Sequence, residues 1–474
     1  MELLLHYIWK HRIYPLHEMR TNKGELIDVI DPGLHNSNAG PDFFNAKIKI
    51  DGMLWVGNIE IHDKASDWFL HGHDKDSHYD NVILHVVGKD DMPVVTSKGE
   101  IVRQMQMDIP DHVSKNYAML LQEDKYPPCH SIVPYLSKIV LHSWMSALQA
   151  ERLEGKTMAI TERLKACNGS WEDAYFITLA RNFGFGVNSE AFEAWAHILS
   201  LPSIAHHRDD IFQIEAIFLG QAGLLTDESI NEKYRTEATN DAYYKKLKGE
   251  YAYLTHKFRL QAISPSLWNF LRLRPQNFPH IRISQLANLY YNRNASFSQL
   301  IECESIEDIK DIFSTHVTPY WETHYSFGRE SKKSEKNLSK QSINVIILNT
   351  VIPVLFAYGR YKNDERYCER SLSLLEKLKA EDNSITRMWQ ECGMDIKTAA
   401  DSQAIVQLKK EYCDRRDCLR CRIGYEFIKE SGWFVKESYR STTSRPFFTI
   451  SLVSFMIWKY SSISHISLAT SAFS

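Results

Sequence analysis

The feature that most constrains this chain is a change of hydrophobic period at Tyr126-Pro127-Pro128. Before it, short apolar runs alternate with polar residues, the period of a half-buried strand. Such runs lie at Leu26–Ile30, Phe44–Ile50, Leu54–His62 and Asn81–Val87, with a further strand expected in Glu100–Met107. After it, long segments carry the three-to-four spacing of amphipathic helices: 135–166, 171–182, 189–199, 208–225, 240–260, 283–292, 341–358, 365–380 and 401–411. One helix is also expected at residues 2–12, with Leu4, Leu5, Ile8 and Trp9 on one face. The expected class is therefore α+β. A mixed-sheet domain over 1–125 precedes a larger, mainly α-helical domain over 126–440, and a Ser-rich tail of uncertain order fills 441–474. With 474 residues, each part is long enough to bury its own core.

Composition narrows the function classes. Formal net charge is −3, so there is no global attraction to nucleic acid or anionic lipid, and any such contact needs a local patch. The N-terminal MELLLHYIWKHRIYP is broken by His6, Lys10 and His11 and does not read as a secretory leader. No run of about 18 uninterrupted apolar residues suggests a membrane span. Eight cysteines in 474 residues without a leader point to reduced thiols and a cytoplasmic location.

The densest polar information lies between Gly40 and Val87. Pro41 fixes φ just before Asp42, at the mouth of a strand in which Phe44, Ala46, Ile48 and Ile50 alternate with Asn45, Lys47 and Lys49. Asp42 has the parity of the apolar residues and should point inward. In the next strand Asn58, Glu60 and His62 share one face, and Trp55, Ile59 and Ile61 the other. Asp51-Gly52 reads as the hairpin turn between them. The hairpin brings Asp42 to the same open end as Glu60 and His62. Two converging carboxylates repel unless a cation sits between them, and hard oxygen ligands favour Mg²⁺ or Mn²⁺.

Pro41-Asp42 followed by Glu60-Ile61-His62 on a strand–turn–strand resembles the PD-(D/E)xK phosphodiesterase superfamily, the restriction-endonuclease-like fold. That resemblance implies a metal-dependent nuclease-like enzyme in which Asp42 and Glu60 hold the divalent metal. His62 would stand in for the lysine near the attacking water, with Lys64 as the substitute if the strand continues. It also implies an acid from the first helix, for which Glu18 and Glu25 are candidates. Over its length the chain resembles a bacterial family known as a domain of unknown function, numbered 2851. The likeness runs through AGPDFFNAKI, WVGNIEIH, SDWFLHGHDKDSHYDNVILHVV, RPQNFPHIRISQLA and YCDRRDCLRCRIG. It implies no activity.

Three further clusters stand out. His62, His71, His73, His78 and His85 fall within 24 residues, where the chain average of 20 in 474 gives about one. His71, His73 and His78 are read as a site rim or metal ligands, or else as a solvated loop. Residues 251–301 hold no acid but carry Arg272, Arg274 and Arg282 among Trp268, Phe270, Phe278, Tyr290 and Tyr291. Exposed, these would suit phosphate contact and base stacking; packed inside, the aromatics are core. Cys413, Cys418 and Cys421 have the spacing of a zinc or iron–sulfur triplet, with Cys392 the nearest upstream fourth thiol. The lysine-rich stretch 326–342 reads as a solvated loop. The leading expectation is a metal-dependent phosphodiesterase acting on nucleic acid. The alternative is a catalytically inactive module, binding nucleic acid or protein, on a nuclease-like scaffold.

Overall fold

A computed structural model describes residues 2–430 apart from 15–16, 37, 206 and 294–295. The expected tail at 441–474 lies outside the described residues. The hairpin at Asp51-Gly52 organises the N-terminal layer. Both turn residues have positive φ, 48° and 83°, which matches the right-handed twist of the flanking strands. It joins β4 (Phe43–Ile50) to β5 (Met53–Lys64), preceded by α1 (Glu2–His11), β1 (Met19–Arg20), β2 (Leu26–Asp31) and β3 (Leu34–His35). Then come α2 (Asp67–Leu70), β6 (Val82–Lys89), β7 (Gln104–Gln106) and α3 (Asp111–Gln122). The sheet order is β1-β2-β4-β5-β6-β7, with β3 on β4. Pairing is antiparallel up to β5 and parallel from β5 to β7. The protein is thus a mixed α/β chain with an N-terminal mixed sheet and a mainly helical remainder.

Both faces of β5 and β6 are covered, which is what buries the site. One face packs Ile59, Ile61, Leu84 and Val86 against α1. The other packs Val82 and Val87 against Trp68 of α2, Tyr79 and Val102. The helical part has its own core, from Leu153 to Ala400. Two parts of the 126–440 stretch pack into the sheet core and not the helical one: Cys129, Ile132, Val133 and Leu148, and again Trp389, Ile405, Leu408, Tyr412, Cys421, Ile423 and Phe427. Helical periodicity shows that a segment has an apolar face, not which core receives it.

One helix, Lys340–Lys362, is long and apolar enough to cross a membrane, but two-thirds of it is buried inside the fold. The 326–342 stretch is not wholly solvated. Lys336 is buried, and its Nζ donates to the carbonyls of Trp321, of Glu322 at 2.8 Å and of His324 at 3.2 Å. Carbonyl oxygens replace its hydration shell, so a residue typical of solvent lies inside.

Candidate metal centre

Strict alternation would send Asp42 to the core face, and it does not go there. Phe43 pairs with Ile59 and Ala46 with Gly57, so one extra residue is inserted in β4. Asn45 takes that irregularity at φ 55°, and its backbone N–H donates to Asn58 Oδ1 at 3.3 Å. This bulge reverses the parity of the strand end. Phe43 and Ala46 are both buried, and Asp42 comes beside Glu60. The Asp42 amide donates to Glu60 Oε2 at 3.1 Å, and the Ile61 amide donates to Asp42 Oδ2 at 2.9 Å. Each carboxylate thus sits on an amide at or next to the other.

Around Glu60 the imidazoles close in. His73 Nε2 lies 3.2 Å and His62 Nε2 3.5 Å from Glu60 Oε1. His71 Nδ1 lies 3.1 Å from His62 Nε2. The ligand atoms of His62, His71 and His73 fall within 4.8 Å of one another. On its far side, His62 Nδ1 meets His85 Nε2 at 2.9 Å. His62 is stacked on His73, which is stacked on Tyr79 at 3.7 Å between ring centroids. Glu60 and His62 are 4% and 2% exposed, whereas His71 is exposed and Asp42 half-buried. The cluster therefore opens to solvent at His71 and Asp42.

Burial sets the electrostatics of the cluster. Burial, then the Asp42 charge, pushes the Glu60 carboxyl well above the usual carboxylate range. Burial also raises Asp42, against the Ile61 amide that lowers it. Burial holds His62 down to about 2 and His85 to about 3, and it lowers His73 and His6. These imidazoles are neutral at pH 7, each with a lone pair to offer.

A residue the sequence reading missed joins the rim. Glu2, on the first turn of α1, lies within electrostatic reach of His6, Asp42 and His71, and its charge also acts on Glu60. The first helix carries Glu2 and neither Glu18 nor Glu25. Glu18 pairs with Arg20 at 2.6 Å, and Glu25 with Thr21 and Arg103. The available signal was Glu2 four residues before His6, one turn apart on the same helix face. His6 Nε2 reaches Asp42 Oδ2 at 3.4 Å.

Other expected site residues lie elsewhere. Lys64 is exposed past the cluster, where its amide donates to Asp67 Oδ2. His78 is exposed and pairs with Asp76 at 2.7 Å. Arg282 is buried, donating to Gln285 and Asn277 across the Phe185 ring, so it serves the helical core. Trp268 is buried, and Phe270, Phe278 and Tyr290 pack on the same core. Of the patch, Arg272, Arg274 and Tyr291 are exposed. Cys413 and Cys421 are buried near Cys418. The charges around Cys392 are Lys125 and Glu391.

No curated protein and no solved structure matches the chain. A family match spans residues 2–384 and takes in every residue of this cluster. The chain belongs to the family described as "Protein of unknown function (DUF2851)".

Proposed function

We propose that this protein is a metal-dependent hydrolase of phosphate diesters, with nucleic acid as its substrate class. The observation that carries the reading is the spacing of Glu60 Oε1, His62 Nε2 and His71 Nδ1, with His73 Nε2 beside them. Along the run His71–His62–Glu60–His73 successive atoms lie 3.1, 3.5 and 3.2 Å apart, and the three imidazoles close to within 4.8 Å of one another. A tetrahedral ion with bonds of ~2.0–2.1 Å needs its ligand atoms ~3.3 Å apart. Imidazole donors favour Zn²⁺ over the Mg²⁺ or Mn²⁺ expected from carboxylates alone. The ion would act as a Lewis acid on a phosphoryl oxygen and as a source of hydroxide.

The chain's own residues supply the rest. His85 orients His62 by taking the hydrogen bond of its far nitrogen, the usual support of a metal-bound imidazole. Asp42, at the open side with a raised pKa, is positioned to accept a proton from an incoming water. His6, and His35 beyond it, stand against Asp42 and can face the negative charge of a phosphate. The PD…ExH resemblance, the mixed sheet and Glu2 on the first helix support a phosphodiester as the bond attacked.

A non-catalytic binding module on the same scaffold is the second reading. It is favoured by the near-complete burial of Glu60 and His62 and by the imidazole at the lysine position. One assay separates the two: cleavage of bis(p-nitrophenyl) phosphate and a DNA and RNA panel with Mn²⁺ or Zn²⁺. The hydrolase reading expects turnover that Glu60→Gln and His73→Ala abolish. Rates unchanged by either variant discard it. Salt-sensitive nucleic-acid binding without turnover, weakened by Arg272→Ala or Arg274→Ala, establishes the module.

A further inference from the structure

The cysteine triplet gains a fourth member that sequence spacing does not reveal. Cys129, just after α3, is 7% exposed in the sheet core. It lies within electrostatic reach of Cys413, Cys418 and Cys421 together, nearly 300 positions away in sequence. We infer that Cys129, Cys413, Cys418 and Cys421 ligate one iron–sulfur cluster, which ties the chain after α3 to the helix Arg422–Lys429.

Burial raises all four thiols, and the helix end works against it at Cys421. Cys421 is the N-cap of that helix, and the amides of Ile423 and Gly424 act to lower its pKa. Such amides and the positive end of a helix stabilise a thiolate. The indole Nε1 of Trp144 is buried without a hydrogen-bond partner and lies near the same sulfur. The Tyr126 hydroxyl, bonded to Asp414 Oδ1 at 3.1 Å, neighbours the Cys413 sulfur. Donors aimed at ligating sulfurs are the usual second shell of an iron–sulfur centre.

The backbone closes around the thiols. The Cys421 amide donates to the Cys418 carbonyl at 3.2 Å, and that of Arg416 to the Cys413 carbonyl at 3.1 Å. A Cβ on Gly424 would stand 2.1 Å from the Cys418 carbonyl oxygen, so the loop closes on the helix only because that residue lacks a side chain. Arg416 Nη1 bonds the carbonyls of Leu120 at 3.1 Å and Glu123 at 3.2 Å, docking the triplet loop on the end of α3.

The spacing favours a cluster over one ion: Cys-x₄-Cys-x₂-Cys is the triplet run of plant-type [2Fe–2S] ligation.

The test is iron, zinc and acid-labile sulfide analysis of the full chain purified without oxygen, with visible absorption recorded on the same samples. Wild type and Cys392→Ser are expected to hold equal iron and sulfide. Cys129→Ser and Cys418→Ser are expected to lose them. Wild type that holds zinc, or no metal, overturns the inference whatever the variants do. So does iron retained in full by Cys129→Ser.

Discussion

Replacing Glu60 by Gln tests whether the buried carboxylate exists to hold a cation. In the metal-free chain, Glu60 is 4% exposed, and burial and then Asp42 raise its pKa. The sign follows from proton counts. Below the ordinary carboxylate pKa both folded and unfolded states carry the proton, and stability does not depend on this group. Above it, the unfolded chain releases the proton while the folded chain retains it. The folded state then binds more protons, and stability falls as pH rises towards the folded pKa, by about 1.4 kcal/mol per unit. Gln removes that slope. At pH 8 the metal-free Glu60→Gln protein should be more stable than wild type, by a margin that grows by about 1.4 kcal/mol for each pH unit above the ordinary carboxylate pKa. Metal acts against that margin. An ion at 100 times its Kd stabilises wild type by about 2.7 kcal/mol. If the sheet layer melts as one unit of 150–250 residues, that is a rise of about 5–10 °C in Tm. The variant should show little of it. Thermal melts at pH 6 and pH 8, with and without MnCl₂ or ZnCl₂, give all the values. A variant with wild-type pH dependence and the full metal-induced rise would refute the reasoning.

Three further outcomes are expected. His85→Ala should weaken metal binding by about 10–100-fold in calorimetric titration, because His85 holds the far nitrogen of His62. Asn45→Val should lose about 1–2 kcal/mol in denaturant unfolding, because a branched side chain resists φ near 55°. It should also lower phosphodiesterase turnover by moving Asp42, and Asn45→Gly should keep both. Lys64→Ala should change stability by less than about 0.5 kcal/mol and leave turnover as it was; a large loss of turnover would give Lys64 the role that its exposed position argues against.

The hairpin was legible because Asp51-Gly52 and the alternation on either side are local signals. So was the crowding of histidines near Glu60. The bulge at Asn45 was not, because one inserted residue leaves the apolar pattern almost intact while reversing the end of the strand. Strict parity therefore put Asp42 on the wrong face. Glu2 was missed because its partners come from β4, β5 and the loop after α2, and only packing of α1 on the sheet brings them together. Of the three rim histidines, His71 and His73 converge because α2 turns the chain back over β5. His78 is carried past them and pairs with Asp76. The arginine patch failed at Arg282 because an acid-free window says nothing about burial, and a guanidinium can be satisfied inside by two amide oxygens. Cys129 escaped notice because its thiol neighbours lie nearly 300 positions away, where the helical segment 404–428 returns to the sheet core.

The claim beneath all of this is that one divalent ion belongs between Glu60, His62, His71 and His73. Anomalous diffraction from crystals soaked in Mn²⁺ or Zn²⁺, recorded on either side of the metal edge, tests it directly. A peak about 2.0–2.2 Å from Glu60 Oε1, His62 Nε2, His71 Nδ1 and His73 Nε2 is the expected result. Density that leaves this cluster empty while the ion binds elsewhere, or not at all, would contradict it.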